Sequence, residues 1–138
     1  MTPTAIFWPM IAHVALVFIV YGALGYRRWS AVARGEAKPS AFKLRGAEPA
    51  STAPFANNLM NQFEAPVLFH VVCLCLFATA GVSVLTVTLA WLFVISRYLH
   101  ALVHLTANNV MLRFNAFGFG LVVLLVMWIV FALHLAGL

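Results

Sequence analysis

Four long apolar stretches limit what this chain can fold into more than any other feature of its sequence. They occupy roughly residues 5–26, 55–80, 84–105 and 114–135. As helices, each is long enough to cross about 30 Å of hydrocarbon. Lipid offers the backbone no hydrogen bonds, so only helices or closed barrels can span it. The sequence therefore predicts an all-α integral membrane protein, a single-domain four-helix bundle whose chain crosses up-down-up-down.

The composition of the chain supports this prediction. The 138 residues are 64% hydrophobic and only 8% charged, whereas soluble domains carry about 25% charged residues. A soluble domain of this length could not bury so much apolar surface in its own core. Membrane lipids are the expected surroundings, and no nucleic-acid partner is expected.

A basic loop, residues 27–54, separates the first two apolar stretches. Six of the eight cationic residues lie in it: Arg27, Arg28, Arg34, Lys38, Lys43 and Arg45. The positive-inside rule therefore predicts a cytoplasmic loop, with both chain termini on the opposite side. Two roles remain open for the loop, namely contact with anionic lipid headgroups and guidance of an anionic substrate.

A polar stripe marks the start of the second stretch. Asn57, Asn61 and Glu64 are spaced i, i+4, i+7 and so share one helix face. An ionisable group at such a depth usually faces a bundle interior or a wet cavity. Pro66 has no amide hydrogen for the Gln62 carbonyl, so a kink is expected there. The neighbouring amides of Asn58 and Gln62 are interpreted as interhelical packing contacts.

A second polar stripe lies on the third stretch, where Arg97, His100 and His104 are spaced i, i+3, i+7. A tight turn at residues 81–83 makes the two helices antiparallel neighbours. Glu64 lies 17 residues before Gly81, and His100 lies 17 residues after Ser83. The two stripes are therefore predicted to meet at one depth and to form a polar pocket that opens toward the basic loop.

Two other interpretations of these residues remain open. Arg97 and Glu64 could form an ion pair that binds no ligand, because buried charges need partners. His100 and His104 at i, i+4 could hold a metal ion with Glu64 as a third ligand, although this spacing alone is a weak signal. Two further histidines, His13 and His134, are predicted to lie at the membrane interface on the side opposite the basic loop.

Two longer motifs carry a resemblance to a known family. The motif "NQFEAPVLF" on the second helix, "RYLHALVHLTANNVMLRF" at the end of the third, and the basic loop after the first occur in this order. Together they resemble the membrane-associated proteins in eicosanoid and glutathione metabolism (the MAPEG family), and a bacterial branch of it most closely. The resemblance covers essentially the whole chain.

The resemblance implies a left-handed four-helix bundle assembled as a homotrimer. A bacterial inner membrane is expected, in which the positive-inside rule makes both termini periplasmic. In the family, glutathione binds between subunits at the cytoplasmic face, ionises to a thiolate and attacks an apolar electrophile. By the resemblance, Asn61 and Glu64 match the motif asparagine and glutamate, while His100 and His104 fall on paired tyrosines. Arg113 matches the arginine that stabilises the thiolate, although the spacing is two residues longer.

The chain also departs from the family pattern. Asn57 stands where family enzymes usually carry arginine, and Ala65 stands where they carry tyrosine. The two carboxylates of glutathione would then need Arg113, Arg97 or Arg45. The expected catalytic residues are Arg113 and His104, and the expected ligand-binding residues are Asn57, Asn61, Glu64, Arg97 and His100.

Three functional hypotheses follow. The first is a membrane-bound transferase or peroxidase that uses glutathione, or another thiol, as co-substrate against a small lipophilic electrophile. The second is a non-catalytic membrane protein that binds a lipid, a quinone or an anionic ligand in the same pocket. A metal-dependent protein is the third.

Overall fold

The computed structural model describes residues 2–43 and 48–138. The described residues form five α-helices and two short 3-10 helices. The first 3-10 helix, Pro3–Ile6, precedes the first α-helix, and the second, Pro39–Phe42, lies in the loop that follows it. The α-helices are α1 (Phe7–Ala33), α2 (Ala53–Asn61), α3 (Ala65–Ala78), α4 (Val84–Leu105) and α5 (Val110–Leu135). The described residues contain no strand.

Four helical segments are long and apolar enough to cross a membrane. They are Pro3–Ala33, Ala53–Ala78, Val84–Leu105 and Val110–Leu135, so α2 and α3 together make one crossing. The prediction of an all-α protein with four membrane-spanning segments is confirmed.

The first helix is longer than the sequence suggested. The predicted loop begins at residue 27, but α1 continues to Ala33, so Arg27 and Arg28 lie on the helix. Burial of Ala31 explains the extension, because the last turn still packs against the bundle. Gly35 then ends it with φ +72, while the Glu36 amide donates to the Ala31 carbonyl. A glycine in the left-handed region after a helix is a common stop.

The second crossing is two helices, where the sequence predicted one kinked helix over residues 55–80. The last turn of α2 tightens, with the Gln62 and Phe63 amides bonded three residues back, to the carbonyls of Leu59 and Met60. Glu64 then takes φ −95 and ψ −106, outside the helical region. Pro66 accounts for part of the break, since it offers no amide to the Gln62 carbonyl.

The last helix begins earlier than the predicted residue 114. The side-chain oxygen of Asn109 accepts a hydrogen bond from the Leu112 amide at 3.1 Å. This is the usual role of an asparagine N-cap, and it starts α5 at Val110. Arg113 therefore sits on the first turn of α5, where its position is fixed by the helix instead of a loop.

The core of the bundle lies between the 3-10 segment at the N-terminus and helices α3, α4 and α5. Phe69 and Phe93 stack there with ring centroids 4.5 Å apart, and both are fully buried. The backbones of α4 and α5 approach closely where Gly120 faces Ser96. Small residues allow such approach in membrane bundles, and this contact holds the middle parts of α4 and α5 together, one helical turn before His100 on α4.

The basic loop is tied to α1 through Glu48. One carboxylate oxygen accepts from Arg28 Nη2, and the other accepts from the Thr52 hydroxyl at 2.6 Å. Burial opposes ionisation of this carboxyl, but the hydrogen bonds from Arg28 and Thr52 outweigh it and hold the pKa of Glu48 below its ordinary value. The carboxylate thus links the helix to the residues that lead into α2.

Replacing Glu48 by glutamine is expected to loosen the start of α2. Hydrogen–deuterium exchange at neutral pH should show faster exchange of the amides in residues 49–56. In the wild type, a lowered pKa means that the link is fully formed above the ordinary pKa of glutamate, about 4.3, and is lost as the pH falls through the folded value. The Arg34→Met variant, which breaks the exposed pair with Glu36 but keeps both glutamates, should leave this segment unchanged. Equal exchange in both variants would contradict the role of Glu48.

Candidate functional site

A cleft of about 360 Å³ opens at the loop end of the bundle, between α2, α4 and the start of α5. Five of the predicted site residues lie in its wall: Asn57, Asn61, His100, His104 and Arg113. Val110, Phe114 and Phe117 complete the lining. The cleft thus combines an amide edge, two imidazoles and one guanidinium with an apolar side formed by α5.

His100 is held in one orientation by a backbone carbonyl. Its Nδ1 lies 3.1 Å from the carbonyl oxygen of Arg113. A carbonyl oxygen can only accept, so the neutral ring carries its hydrogen on Nδ1 and a lone pair on Nε2. The side-chain amide of Asn61 approaches Nε2 at 3.4 Å, a long contact. The cleft therefore contains a hydrogen-bond acceptor that can take up a proton.

His104 and Arg113 complete the polar wall. The His104 ring meets His100 edge-on, with centroids 5.6 Å apart. Its Nδ1 is buried and bonds to no group within residues 2–43 and 48–138, so it can contact a bound molecule. Arg113 gives Nη1 to the Asn108 side chain at 3.0 Å. Within the part of the chain that the structure describes, its other N–H donors make no hydrogen bond, so the guanidinium can still bind an anion.

Arg97 lies behind the cleft and lines neither of the cavities. Its side chain is 1% exposed, with the guanidinium over the Phe117 ring at 5.1 Å. Nη2 donates to the Asn61 carbonyl at 3.2 Å. A cation at a helix C-terminus satisfies a carbonyl that the helix leaves free. The location is therefore that of a cap on α2.

Glu64 does not face His100, although the two were predicted to meet. It is exposed at the break between α2 and α3 and lines a second, larger cavity of about 860 Å³. The only ion pairs among residues 2–43 and 48–138 are Arg28–Glu48 and Arg34–Glu36. The Arg97–Glu64 pair considered from the sequence is not formed, because the break turns Glu64 to the surface while Arg97 stays inside.

The larger cavity lies between α1, α2 and the basic loop. Its wall carries cations and carboxylates beside aromatic and aliphatic groups: Tyr21, Leu24, Gly25, Arg28, Phe42, Lys43, Glu48, Ala56, Asn57, Leu59, Met60, Phe63 and Glu64. Asn57 lines both cavities, so they adjoin at α2. Arg45, considered as a partner for an anionic ligand, lies outside the described residues.

A third polar group, centred on His13, lies on α1. His13 was predicted at the membrane interface, but it is 1% exposed inside the bundle. It contacts His70, which the sequence analysis did not single out, and the amide of Gln62. The signal for this was available, since Pro9, His13, Leu16, Val20 and Leu24 follow one helix face and all are buried.

The metal-site interpretation gains no support from the geometry. Within the two described ranges, no three His, Cys, Asp or Glu side chains lie close enough together to hold a metal ion. His100 and His104 share the cleft, but Glu64, the third ligand considered, lines the other cavity.

Comparison with known proteins gives one match. A family model described as the MAPEG family matches residues 6–133, nearly the whole chain. Searches against curated proteins and against solved structures returned no significant match.

Proposed function

The chain belongs to the MAPEG family, and from that premise we propose that it is a membrane-bound thiol-dependent transferase or peroxidase. Its co-substrate is glutathione or a similar peptide thiol, and its second substrate is a small lipophilic electrophile. The observation that carries the proposal is the cleft in which the His100 Nε2 lone pair, contacted only at 3.4 Å by the Asn61 amide, and the guanidinium of Arg113 lie in one wall.

The chemistry required of the cleft is ionisation of a thiol. A cysteine thiol ionises near pH 8.5 in water, and a neighbouring cation or base lowers that value. His100 Nε2 accepts the thiol proton, so an S–H bond breaks and an N–H bond forms. The Arg113 guanidinium stabilises the thiolate, which then bonds to an electrophilic carbon that enters along the apolar side of α5. The bond from that carbon to its leaving group breaks, and the leaving group departs with the electron pair and takes the proton from His100. His104, with its unpartnered Nδ1, serves as a second proton carrier or ligand contact.

The rest of the peptide fits the larger cavity. Glutathione carries two carboxylates and one ammonium group. Glu64 can hold the ammonium group, while Arg28 and Lys43 offer cations to the carboxylates. Because Asn57 lines both cavities, a ligand that passes Asn57 can place its thiol in the cleft and its charged ends in the larger cavity.

Calorimetric titration of glutathione into the purified protein in detergent tests this proposal. We expect binding in the wild type and a Kd raised about tenfold or more in Arg113→Met and Glu64→Gln, because charge-assisted hydrogen bonds contribute about 1.5–3 kcal/mol. The matched control is Lys38→Met, which also removes one charge but lies outside both cavities, and its Kd should stay near that of the wild type.

Two results would overturn the proposal in different ways. No heat at millimolar glutathione would exclude glutathione as the ligand. A Kd unchanged in both Arg113→Met and Glu64→Gln would exclude the proposed position of the peptide while leaving the ligand in place.

A non-catalytic binding protein is the second candidate, and Asn57 favours it. This exposed residue lines both cavities but offers no charge, where the family enzymes usually have arginine. A protein of this kind would hold a lipid, a quinone or an anion without chemistry. Ultraviolet absorbance of the bound thiolate separates the two candidates, since the binding protein would take up glutathione without producing that signal.

We extend the proposal to assembly and orientation. The family resemblance supports a homotrimer, and native mass spectrometry in detergent should then give the mass of three chains. The basic loop supports a cytoplasmic location for the cavities in a bacterial inner membrane. A cysteine introduced at exposed Ser40 should react with a membrane-impermeant maleimide in inverted vesicles and stay protected in intact cells.

A further inference from the structure

Four side chains form a hydrogen-bonded chain across the bundle, apart from both cavities. His70 Nε2 lies 3.1 Å from His13 Nδ1, and His13 Nε2 lies 3.3 Å from Gln62 Oε1. The Gln62 amide nitrogen donates to Asn58 Oδ1 at 3.1 Å. The chain thus links α1 and α3 to the break that follows α2. His13, Gln62 and Asn58 are each at most 2% exposed.

The direction of these hydrogen bonds is fixed by one backbone group. Gln62 Nε2 also lies 3.4 Å from the carbonyl oxygen of Asn58, and a carbonyl oxygen cannot donate. The amide nitrogen must therefore face α2, which turns Oε1 toward His13. Because Oε1 only accepts, His13 carries its hydrogen on Nε2 and a lone pair on Nδ1. His70 must then donate its Nε2 hydrogen to that lone pair.

The outer end of the chain is the Nδ1 lone pair of His70. This residue is half-buried. No group of the described residues hydrogen-bonds to Nδ1, and this atom is not fully buried. Nδ1 is therefore open to the outside of the bundle. The neighbouring surface of α3 is apolar, since Val67 and Leu74, one turn before and one turn after His70, are both exposed.

We propose that His70 and His13 form a proton-binding site inside the membrane that takes up one proton and excludes a second. A hydronium ion reaching the surface loses a proton to His70 Nδ1, so that an O–H bond breaks and an N–H bond forms. The Nε2 hydrogen of His70 can then pass to His13 Nδ1, and the positive charge moves inward by one ring. This site is separate from the proposed thiol chemistry.

The limit of one proton follows from the contact between the rings. With one proton added, one nitrogen of the facing pair still accepts, and every hydrogen bond of the chain survives. With two protons, N–H groups would face each other across 3.1 Å. The surroundings of the pair act in the same direction. Neither ring has an ion pair with a carboxylate among the described residues, so none of them would compensate a second positive charge.

Proton uptake should not disturb the catalytic cleft. His13 donates from Nε2 to Gln62 in both states of the pair. When His13 carries the charge, this hydrogen bond becomes charge-assisted and stronger. Gln62 lies at the break between α2 and α3, next to Asn61 in the cleft wall. The two histidines can therefore bind a proton while the hydrogen bond from His13 to Gln62 still joins α1 to the break between α2 and α3.

Nitrogen-15 NMR of histidine-labelled protein in detergent tests the site without any ligand. Near neutral pH we expect the hydrogen on Nε2 in both His13 and His70. His134 should also carry its hydrogen on Nε2, because that nitrogen lies beside the Thr79 carbonyl. His100 is the internal contrast, with hydrogen on Nδ1. Single His→Gln variants assign the signals. On acidification, His13 and His70 together should gain one proton. Two independent protonations, or hydrogen on Nδ1 in both neutral rings, would overturn the proposal.

A pair of substitutions at Gln62 tests the direction of the chain. Gln62→Met removes the acceptor, so the neutral His13 signal should become a mixture of both tautomers. Gln62→Glu keeps an acceptor at the same position and should preserve hydrogen on Nε2. A pure Nε2 tautomer in Gln62→Met would show that Gln62 does not set the direction. If Gln62→Met fails to fold, the wild-type spectrum alone still shows whether the neutral rings carry hydrogen on Nε2 and whether the two histidines share one proton.

Discussion

Replacing His100 by glutamine is expected to remove most of the thiolate while leaving glutathione bound. A glutamine amide can still donate to the Arg113 carbonyl and accept from Asn61, the two contacts that His100 makes. It has no nitrogen that can take up the thiol proton. General acid–base catalysis contributes about 10²–10⁴-fold, so turnover with a model electrophile should fall by about 10²-fold or more, whereas Kd should change only a few-fold.

The measurement combines thiolate absorbance, calorimetry and initial rates on one preparation. His134→Gln is the matched control, because His134 lies at the other end of α5, where its ring contacts the Thr79 carbonyl. It should leave all three quantities near wild type. Thiolate absorbance that persists in His100→Gln would remove His100 from the reaction and leave Arg113 as the group that ionises the thiol.

The fold was predictable because lipid leaves so few choices. Four apolar stretches of spanning length must form helices, and the four-span all-α architecture is confirmed. Helical spacing alone also groups Asn61 with Asn57 and His100 with His104, and these four side chains do line one cleft. Such arguments work where the position of a side chain follows from its own helix.

The position of Glu64 was not predictable from spacing. The i, i+7 relation to Asn57 holds only on an unbroken helix, and the chain leaves helical geometry at Glu64. Sequence reasoning placed a kink at Pro66 but could not tell a kink from a break. The extent of the disruption depends on tertiary contacts such as the bond from Arg97 to the Asn61 carbonyl. The larger cavity arises from this break.

The buried position of His13 was missed for a different reason. A histidine near the end of a membrane span usually lies at the interface, and the prediction followed that rule. The helix face that His13 shares with Leu16 and Val20 indicated burial instead. Burial of His13 depends on partners from other helices, His70 and Gln62. Since a buried polar group without partners costs about 1–3 kcal/mol, a histidine on an apolar face indicates that its partners exist, though not which residues they are.

Gly120→Ala is expected to destabilise the bundle by about 1–3 kcal/mol, the usual range for overpacking. An added Cβ would lie 2.5 Å from Ser96 Oγ. Ser96 is buried and its hydroxyl already donates to the Phe93 carbonyl at 2.6 Å, so it has little room to move. The α4–α5 contact would have to widen, close to the cleft that these helices share. Reversible unfolding in mixed detergent, followed by circular dichroism, measures the change in the free energy of unfolding.

Two further variants make this test specific for the contact. Gly118→Ala changes the same helix two residues away, where an added Cβ meets nothing within 4 Å, so stability should stay equal or rise by up to about 1 kcal/mol through helix propensity. Adding Ser96→Ala to Gly120→Ala removes the hydroxyl and leaves the new Cβ 3.6 Å from the Cβ of residue 96, an ordinary contact. The double variant should recover most of the lost stability, and the non-additivity measures the clash directly. If Gly120→Ala is as stable as Gly118→Ala, the two helices do not approach as closely as the structure places them, and the cleft wall that joins His100 to Arg113 loses its rigid support.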